Sequence, residues 1–302
     1  MLKRFKKNLN RVNIFYIGLP KCASTWLYQS LKDANDVVLS NPRDLHYFDL
    51  YFNRGENWYH KFFKDIEKGS NKKINYMDIC HDYIFYKSSI ERIYKYNPKS
   101  ILIVHFRNPL QLLFSLYSEC CQNNFLYFIE HGYKRPTTFE DYLIHPFTLK
   151  ILNYKNNIEN IIKIFPSNQI LISSNEYIKN NLKGYISMFT KITTIKCESF
   201  KDPQIIVRPV GSKSKYSRYL LTILSFISMT FRKSGIPILM RIINLKSFLN
   251  EPKLLNKKKS NPLKPDSNFN DQFEIKILDL FKKINGMDYK TFIEKYSSSL
   301  DS

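Results

Sequence analysis

Residues 203 to 250 contain no aspartate or glutamate, and the whole chain sets 26 acids against 47 lysines and arginines. The resulting formal charge of +21 points to anionic ligands or surfaces. From Arg208 to Lys259, twelve basic residues face Glu251 alone, which concentrates +11 of the excess in one stretch. The five cysteines contain no C-x-x-C pair and no zinc-type ligand spacing. That pattern fits free thiols in a reducing compartment. Long apolar runs are missing too. The most apolar stretch, "YLLTILSFISMTF" at 219–231, is 13 residues, short of the roughly 20 that cross a bilayer. The basic opening "MLKRFKKNLNRVN" is followed by no apolar segment of signal-peptide length. These absences predict a cytoplasmic protein without a transmembrane helix. No internal repeat, helix-turn-helix, zinc finger or aromatic RNA-binding signature accompanies the charge, so a nucleic-acid partner is not expected.

What remains is a well-stocked core. Hydrophobic residues make up 43% and aromatics 15% of the 302 positions, enough for a folded globular chain. Short apolar runs at 12–20, 74–80, 100–106 and 169–174 read as buried strands. Between them lie helical patterns: "NWYHKFFKDI", "SSIERIYKY", "LQLLFSLYSECC" and "TLKILNYKNNIENIIKIF". Strands alternating with helices predict an α/β three-layer fold with a mostly parallel sheet. The expected organisation is one domain over 1–302, its core at about 12–200 and a basic, helical extension from about 205. "DQFEIKILDLFKKI" reads as its last helix.

"IGLPKCASTWLYQSLK" at 17–32 has the form of a strand, a turn and a helix that holds phosphate on its first N–H groups. A nucleotide-triphosphate loop, G-x-x-x-x-G-K-[ST], would match at Gly18 and Thr25. Yet Ala23 replaces its second glycine and Ser24 its lysine, so the grip on a γ-phosphate is absent. Lys21, three positions earlier, would lie beside the loop, where it could meet a leaving phosphate. A nucleotide whose transferred group hangs from a single 5′-phosphate suits this arrangement.

"PKCASTWL" resembles the 5′-phosphosulfate loop, P-K-x-G-T-T-x-L, of sulfotransferases that use 3′-phosphoadenosine 5′-phosphosulfate (PAPS) on a P-loop-like fold. "HFRNPLQLLFSLY" resembles that family's 3′-phosphate motif, in which serine follows arginine by eight residues, as Ser115 follows Arg107. An arginine at a strand end offers a planar fork for phosphate. "NPRDLHYFDLYFNRGENWYHKFF" at 41–63 is similar to the K-E-x-H-[FY]-F-D…G-x-x-W-Y segment of the carbohydrate-type and bacterial branch. "VRPVGSKSKYSRYL" looks like that branch's basic closing segment.

The resemblance assigns Lys21 to the leaving 3′-phosphoadenosine 5′-phosphate (PAP). The 5′-phosphate falls to the main chain of Cys22, Ala23, Ser24, Thr25 and Trp26, with the two hydroxyls. The 3′-phosphate falls to Arg107 and Ser115, and Lys213 of the closing segment joins the nucleotide site. For the base that takes the acceptor's proton, three candidates stand. Asp44 holds the family's acidic position, with Arg43 before it in place of lysine. His81 matches the histidine of the small-molecule branch, and His46 shares Asp44's face if the segment is extended. No metal is expected for the transfer. The acceptor would be a glycan, a lipid headgroup or a small metabolite. The basic stretch 208–259 would either close over the sheet or lie on a membrane surface. A P-loop kinase, with Asp78 as its magnesium carboxylate, is the runner-up, and a basic nucleic-acid binder the third reading. Trp58, Tyr59, Cys120 and Cys121 read as packing residues.

Overall fold

The computed structural model describes residues 12–63, 74–122, 126–201 and 271–297, with a few positions between 223 and 236. Five strands form one sheet: β1 (Ile14–Gly18), β2 (Val37–Leu39), β3 (Asn75–Ile79), β4 (Ile101–Phe106) and β5 (Ile170–Ser174). Their order is β2-β3-β1-β4-β5, and every pairing is parallel. The expected α/β architecture, a parallel sheet between helical layers, is present.

Alternation along the strands divides the core in two. Phe15 and Ile17, Leu102, Val104 and Phe106, Ile170 and Ile172 project into one layer. That layer is closed by α3 (Lys87–Tyr96), α4 (Pro109–Gln122), α7 (Pro146–Leu152) and α8 (Tyr154–Ile162), which supply Ile90, Leu113, Ile151 and Ile158. Ile14, Tyr16, Met77, Ile79, Ile103 and Leu171 project the other way. They meet Leu27 and Leu31 of α1 (Ser24–Leu31) and Tyr185 and Phe189 of α10 (Leu182–Thr193). Each such fully buried side chain contributes about 1.5–3 kcal/mol through removal of apolar surface from water.

Four expected strands are present within a residue or two of their bounds. The fifth, β2, is three residues at the sheet edge, too short to show a period in sequence. It is pinned at both ends, by Asn75 N–H on Asp36 O at 2.9 Å and Ser40 N–H on Met77 O at 3.1 Å. Three strands, β2, β3 and β4, therefore lie between Lys21 and Arg107 in sequence. Two helical readings are corrected. Over 57–63, the described part of the first, the helix is only α2 (Glu56–Tyr59), started at Gly55 (φ 78°); a 3-10 turn follows and the chain is extended at Phe63. Over 148–165, Asn153 ends α7 and caps α8, its side chain accepting Asn156 N–H, so one expected helix is two.

Further helices are α5 (Leu126–Glu130), α6 (Phe139–Ile144), α9 (Asn175–Asn180), α11 (Asp271–Asn285) and α12 (Tyr289–Ser297). The C-terminal pair is part of the core, burying Ile277, Phe281 and Phe292 in the first layer. Asn285 fastens α11 to the αα corner: its Nδ2 donates to Leu152 O at 2.9 Å, and its Oδ1 accepts from Lys155 N–H at 2.9 Å. Most of 208–259, and Lys213 with it, lies outside the described residues. Among the described residues, no helix is long and apolar enough to cross a membrane.

Candidate active site

The loops leaving β1, β2, β3 and β4 meet at the C-terminal edge of the sheet, where open α/β folds place their ligands. β1 runs into Leu19–Ala23, whose carbonyls are drawn inward one after another. Tyr16 Oη shares its one proton between Leu19 O at 3.0 Å and Cys22 O at 2.9 Å. His105 adds a bond to Cys22 O at 3.1 Å, and Arg107 Nη1 donates to Lys21 O at 3.0 Å. Because a trans peptide points its N–H opposite its C=O, the N–H groups of Cys22 and Ala23 face away from these donors. Lys21 (φ 61°) and Ala23 (φ 66°) take the left-handed conformation that curves successive amides into an anion-binding nest. No side chain caps α1 at Ala23, and its first helical bond is Leu27 N–H to Ala23 O. The amides of Ser24 to Trp26 therefore precede the helical ladder, at the positive end of the helix.

A carbonyl oxygen only accepts, so the proton of His105 lies on Nδ1 and its Nε2 accepts from Tyr185 Oη at 2.9 Å. Burial lowers the His105 pKa to about 4, so the ring is neutral and acts as a fixed strut under the loop. Burial likewise pushes the Cys22 thiol well up, despite the nearby Arg107 and Lys21 charges, which excludes a thiolate nucleophile.

Arg107 leaves β4 directly beneath this nest, 86 positions from Lys21 in sequence and in contact with it in space. Its own carbonyl is held by Tyr154 Oη at 2.8 Å. The guanidinium Nε is buried and has no hydrogen-bond partner among the described residues. An unpaired buried charged donor costs free energy unless a ligand acceptor meets it. Ser115 lies on α4 one turn before Glu119, and Glu119 Oε2 pairs with Lys21 Nζ at 2.9 Å. Residues four apart share a helix face, so Ser115 is on the side of α4 that meets the loop.

Asp44 and His81 come from the loops after β2 and β3 and form one unit, Asp44 Oδ1 to His81 Nδ1 at 2.8 Å. Asp44 N–H is anchored on Ile79 O at 2.9 Å. Burial would raise the Asp44 carboxyl, but the His81 charge and hydrogen bond, with Arg43 and His46 adding, hold it below the usual carboxylate range. Burial would lower His81, and Asp82 and Asp44 reverse this, so its pKa is raised. Both shifts favour the charged forms, carboxylate on Asp44 and imidazolium on His81. His46 sits apart at 2% exposure, its Nδ1 3.0 Å from Asp49 Oδ2. Both Asp44 (φ 55°) and His46 (φ 52°) are left-handed, so the extended segment that would align them does not form. Trp58 and Tyr59 pack, as expected, against the buried aromatics around Tyr47 and Phe48.

Three participants were not foreseen. Arg43 Nη1 donates to Thr25 Oγ1 at 2.9 Å, tying the Asp44 segment to the first turn of α1. Glu119 occupies Lys21. Glu176, at the start of α9 after β5, accepts Asn108 N–H at 3.1 Å and Tyr289 Oη at 2.9 Å, linking the Arg107 turn to the C-terminal helices. Glu176 alone left a signal in sequence, an acid just past a strand end; Arg43 and Glu119 make contacts that no local pattern encodes. Asp78, the carboxylate a kinase would need, is fully buried and accepts from Tyr59 Oη (2.8 Å), Tyr83 Oη (3.1 Å) and Ser40 Oγ (3.4 Å). Burial, against those hydrogen bonds, raises its pKa to about 6.

An all-parallel sheet, a phosphate-type loop after its first strand and a basic residue after its fourth define a P-loop-like α/β fold. Among solved structures the chain is similar to a sulfotransferase from Alicyclobacillus acidocaldarius. The two share 15% identity and a TM-score of 0.54 over 78% of this chain and 97% of that one. The sulfotransferase domain from the curacin biosynthetic pathway matches at 12% identity and a TM-score of 0.40, over 64% and 76% of the respective chains. The fold is therefore that of the first of these. No family model matches the sequence, and no curated protein matches it.

Proposed function

We propose that the protein is a sulfotransferase that moves the sulfuryl group of PAPS to a hydroxyl or amine of a glycan, a lipid headgroup or a small metabolite. The observation that carries this reading is Arg107: one guanidinium nitrogen braces the loop at Lys21 O and another, Nε, is buried and unpaired beside it. A donor phosphorylated at both ends of its adenosine needs one cation at each end and a main-chain cradle between. The residues at this edge fit that requirement. Likeness to a solved sulfotransferase in fold supports the same class of chemistry.

In this reading the donor brings an activated sulfuryl group on its 5′-phosphate, and the chain does the rest. The amides of Cys22 to Trp26, with the Ser24 and Thr25 hydroxyls, hold the 5′-phosphate in line for transfer. Lys21 exchanges Glu119 for the leaving bridge oxygen and neutralises charge as it develops there. Arg107 and Ser115 hold the 3′-phosphate. Asp44, oriented by His81, receives the acceptor's proton. Against a kinase, Ser24 stands where the loop lysine would be and Asp78 is sealed among tyrosines.

A thermal-shift comparison tests the reading. At a concentration 100 times its Kd, PAP stabilises the protein by about 2.7 kcal/mol, whereas AMP at equal concentration does far less. Arg107→Lys, which keeps the charge but loses the fork, abolishes the preference for PAP over AMP. Equal shifts with PAP and AMP in the unaltered protein, or undiminished preference in Arg107→Lys, would overturn the assignment.

A further inference from the structure

We propose that His46, Asp82 and His131 form a binding site for a divalent transition-metal ion of the zinc class, separate from the nucleotide loop. The three residues come from three segments: the loop after β2, the loop after β3 and the turn after α5. Their side chains are 2%, 0% and 0% exposed. One ligand atom from each lies within 4.8 Å of those of the other two.

Distance is the first argument. Asp82 Oδ2 is 3.4 Å from His131 Nε2 and 3.8 Å from His46 Nε2. Ligands of one tetrahedral ion with bonds of about 2.0–2.1 Å stand about 3.3–3.4 Å apart. The Asp82–His131 spacing is that of ligands sharing a centre, with His46 somewhat further out at 3.8 Å.

The second argument is the outer nitrogen of His46. Nδ1 lies 3.0 Å from Asp49 Oδ2, whose other oxygen accepts Leu50 N–H at 2.8 Å. A carboxylate fixed on Nδ1–H sets the tautomer that leaves Nε2 bare, which is the usual outer partner of a metal-bound histidine. The His46 and His131 rings lie 6.0 Å apart, so both can face one centre. One divalent ion supplies positive charge to the buried Asp82 carboxylate. Phe147 stacks on the His131 ring at 5.0 Å and holds its orientation. A competing set, His46, Asp49 and Cys80, uses the Nδ1 face. Its sulfur is 3.7 Å from Nδ1, the same nitrogen that Asp49 approaches more closely.

The other oxygen of Asp82 is directed at His81 Nε2, 3.6 Å away. The ion would therefore stand behind the Asp44–His81 pair as a clamp on three loops, without touching substrate. This inference does not depend on the sulfotransferase reading.

The test is cobalt(II) and zinc(II) binding to the full chain after chelator treatment, followed by visible absorption, elemental analysis and thermal melting. About one ion per chain is expected, with tetrahedral d–d absorption, no thiolate-to-cobalt charge-transfer band, and a higher Tm with metal than without. Asp49→Asn should weaken cobalt affinity by about tenfold or more. His131→Gln should abolish it, and Cys80→Ser should leave the spectrum unchanged. The proposal is overturned if wild-type protein binds no ion, if a thiolate band appears, or if His131→Gln binds cobalt as wild type does. Should His131→Gln fail to fold, the wild-type and Cys80→Ser spectra still decide.

Discussion

Lys21 and Glu119 are 31% and 53% exposed, so their ion pair is a surface contact held in high dielectric. Such pairs contribute only about 0.2–1 kcal/mol and weaken further with salt. That weakness is functional if Lys21 has to leave Glu119 for an anion, because the carboxylate then competes with every phosphate entering the loop. Glu119→Gln removes the competitor while keeping the shape of the side chain. Its expected effect is a PAP affinity about two- to fivefold tighter at low ionic strength. Isothermal titration at rising salt should show the gain disappear near 1 M, where the screening length is about 3 Å. Unchanged or weaker binding at low salt would mean that Glu119 shapes the loop rather than guarding it. The residue scale also marks where sequence reading stops. Lys21 and Arg107 were legible because each follows an apolar strand in a short motif. Arg43 on Thr25 and Glu119 on Lys21 were not, because both contacts join separate elements whose approach only the folded chain defines.

At the scale of the element, the loop from Leu19 to Ala23 is a backbone conformation imposed from below. Tyr16, His105 and Arg107 hold its carbonyls, and left-handed φ at Lys21 and Ala23 turns its amides outward. An alanine in that region carries strain of about 1–2 kcal/mol that glycine does not. Glycine loses about 0.5–1 kcal/mol of that advantage through the greater freedom of its unfolded chain. Ala23→Gly should therefore stabilise the protein slightly, by about 1 kcal/mol or less, a rise in Tm of about 2 °C. PAP binding should persist, since the cradle is main chain. A lower Tm would show that the Ala23 methyl, packed beside the second core layer, outweighs its strain. The same loop explains why Ala23 was readable as a departure from the glycine pattern yet its conformation was not: φ is set by the bonds beneath it. Elsewhere, element boundaries followed local chemistry finer than hydrophobic period. Asn153 caps a helix inside an unbroken apolar pattern, and β2 is too short to have a pattern. The strands that do carry the site were legible because burial on both faces makes them near-continuous apolar runs.

Across the whole molecule, two buried titrating groups on opposite faces of the sheet give opposed pH responses. His105 lies against Tyr16 and Tyr185 in one layer, and its pKa falls from 6.5 to about 4. Below pH 6.5 the unfolded chain takes up that proton and the folded chain does not, so stability is lost as pH falls toward 4. Asp78 lies among Tyr59 and Tyr83 in the other layer, and its pKa rises from 3.8 to about 6. Between pH 6 and 3.8 the folded chain binds the proton first, so stability is gained over nearly the same window. Each shift corresponds to about 3 kcal/mol at about 1.4 kcal/mol per unit, and the two largely cancel. Single substitutions should expose the halves. His105→Gln keeps a donor for Cys22 O and an acceptor for Tyr185 while removing the charge change, so relative to wild type it becomes more stable as pH falls from 6.5 to 4. Asp78→Asn keeps an acceptor for the tyrosines and should become less stable, relative to wild type, from pH 6 to 4. Urea melts of the three proteins at half-unit steps measure both slopes. If the two variants drift in the same direction with pH, the groups do not titrate as their surroundings dictate. The site's burial would then have to be redrawn on both faces, because the strut under the loop is neutral only while His105 resists protonation.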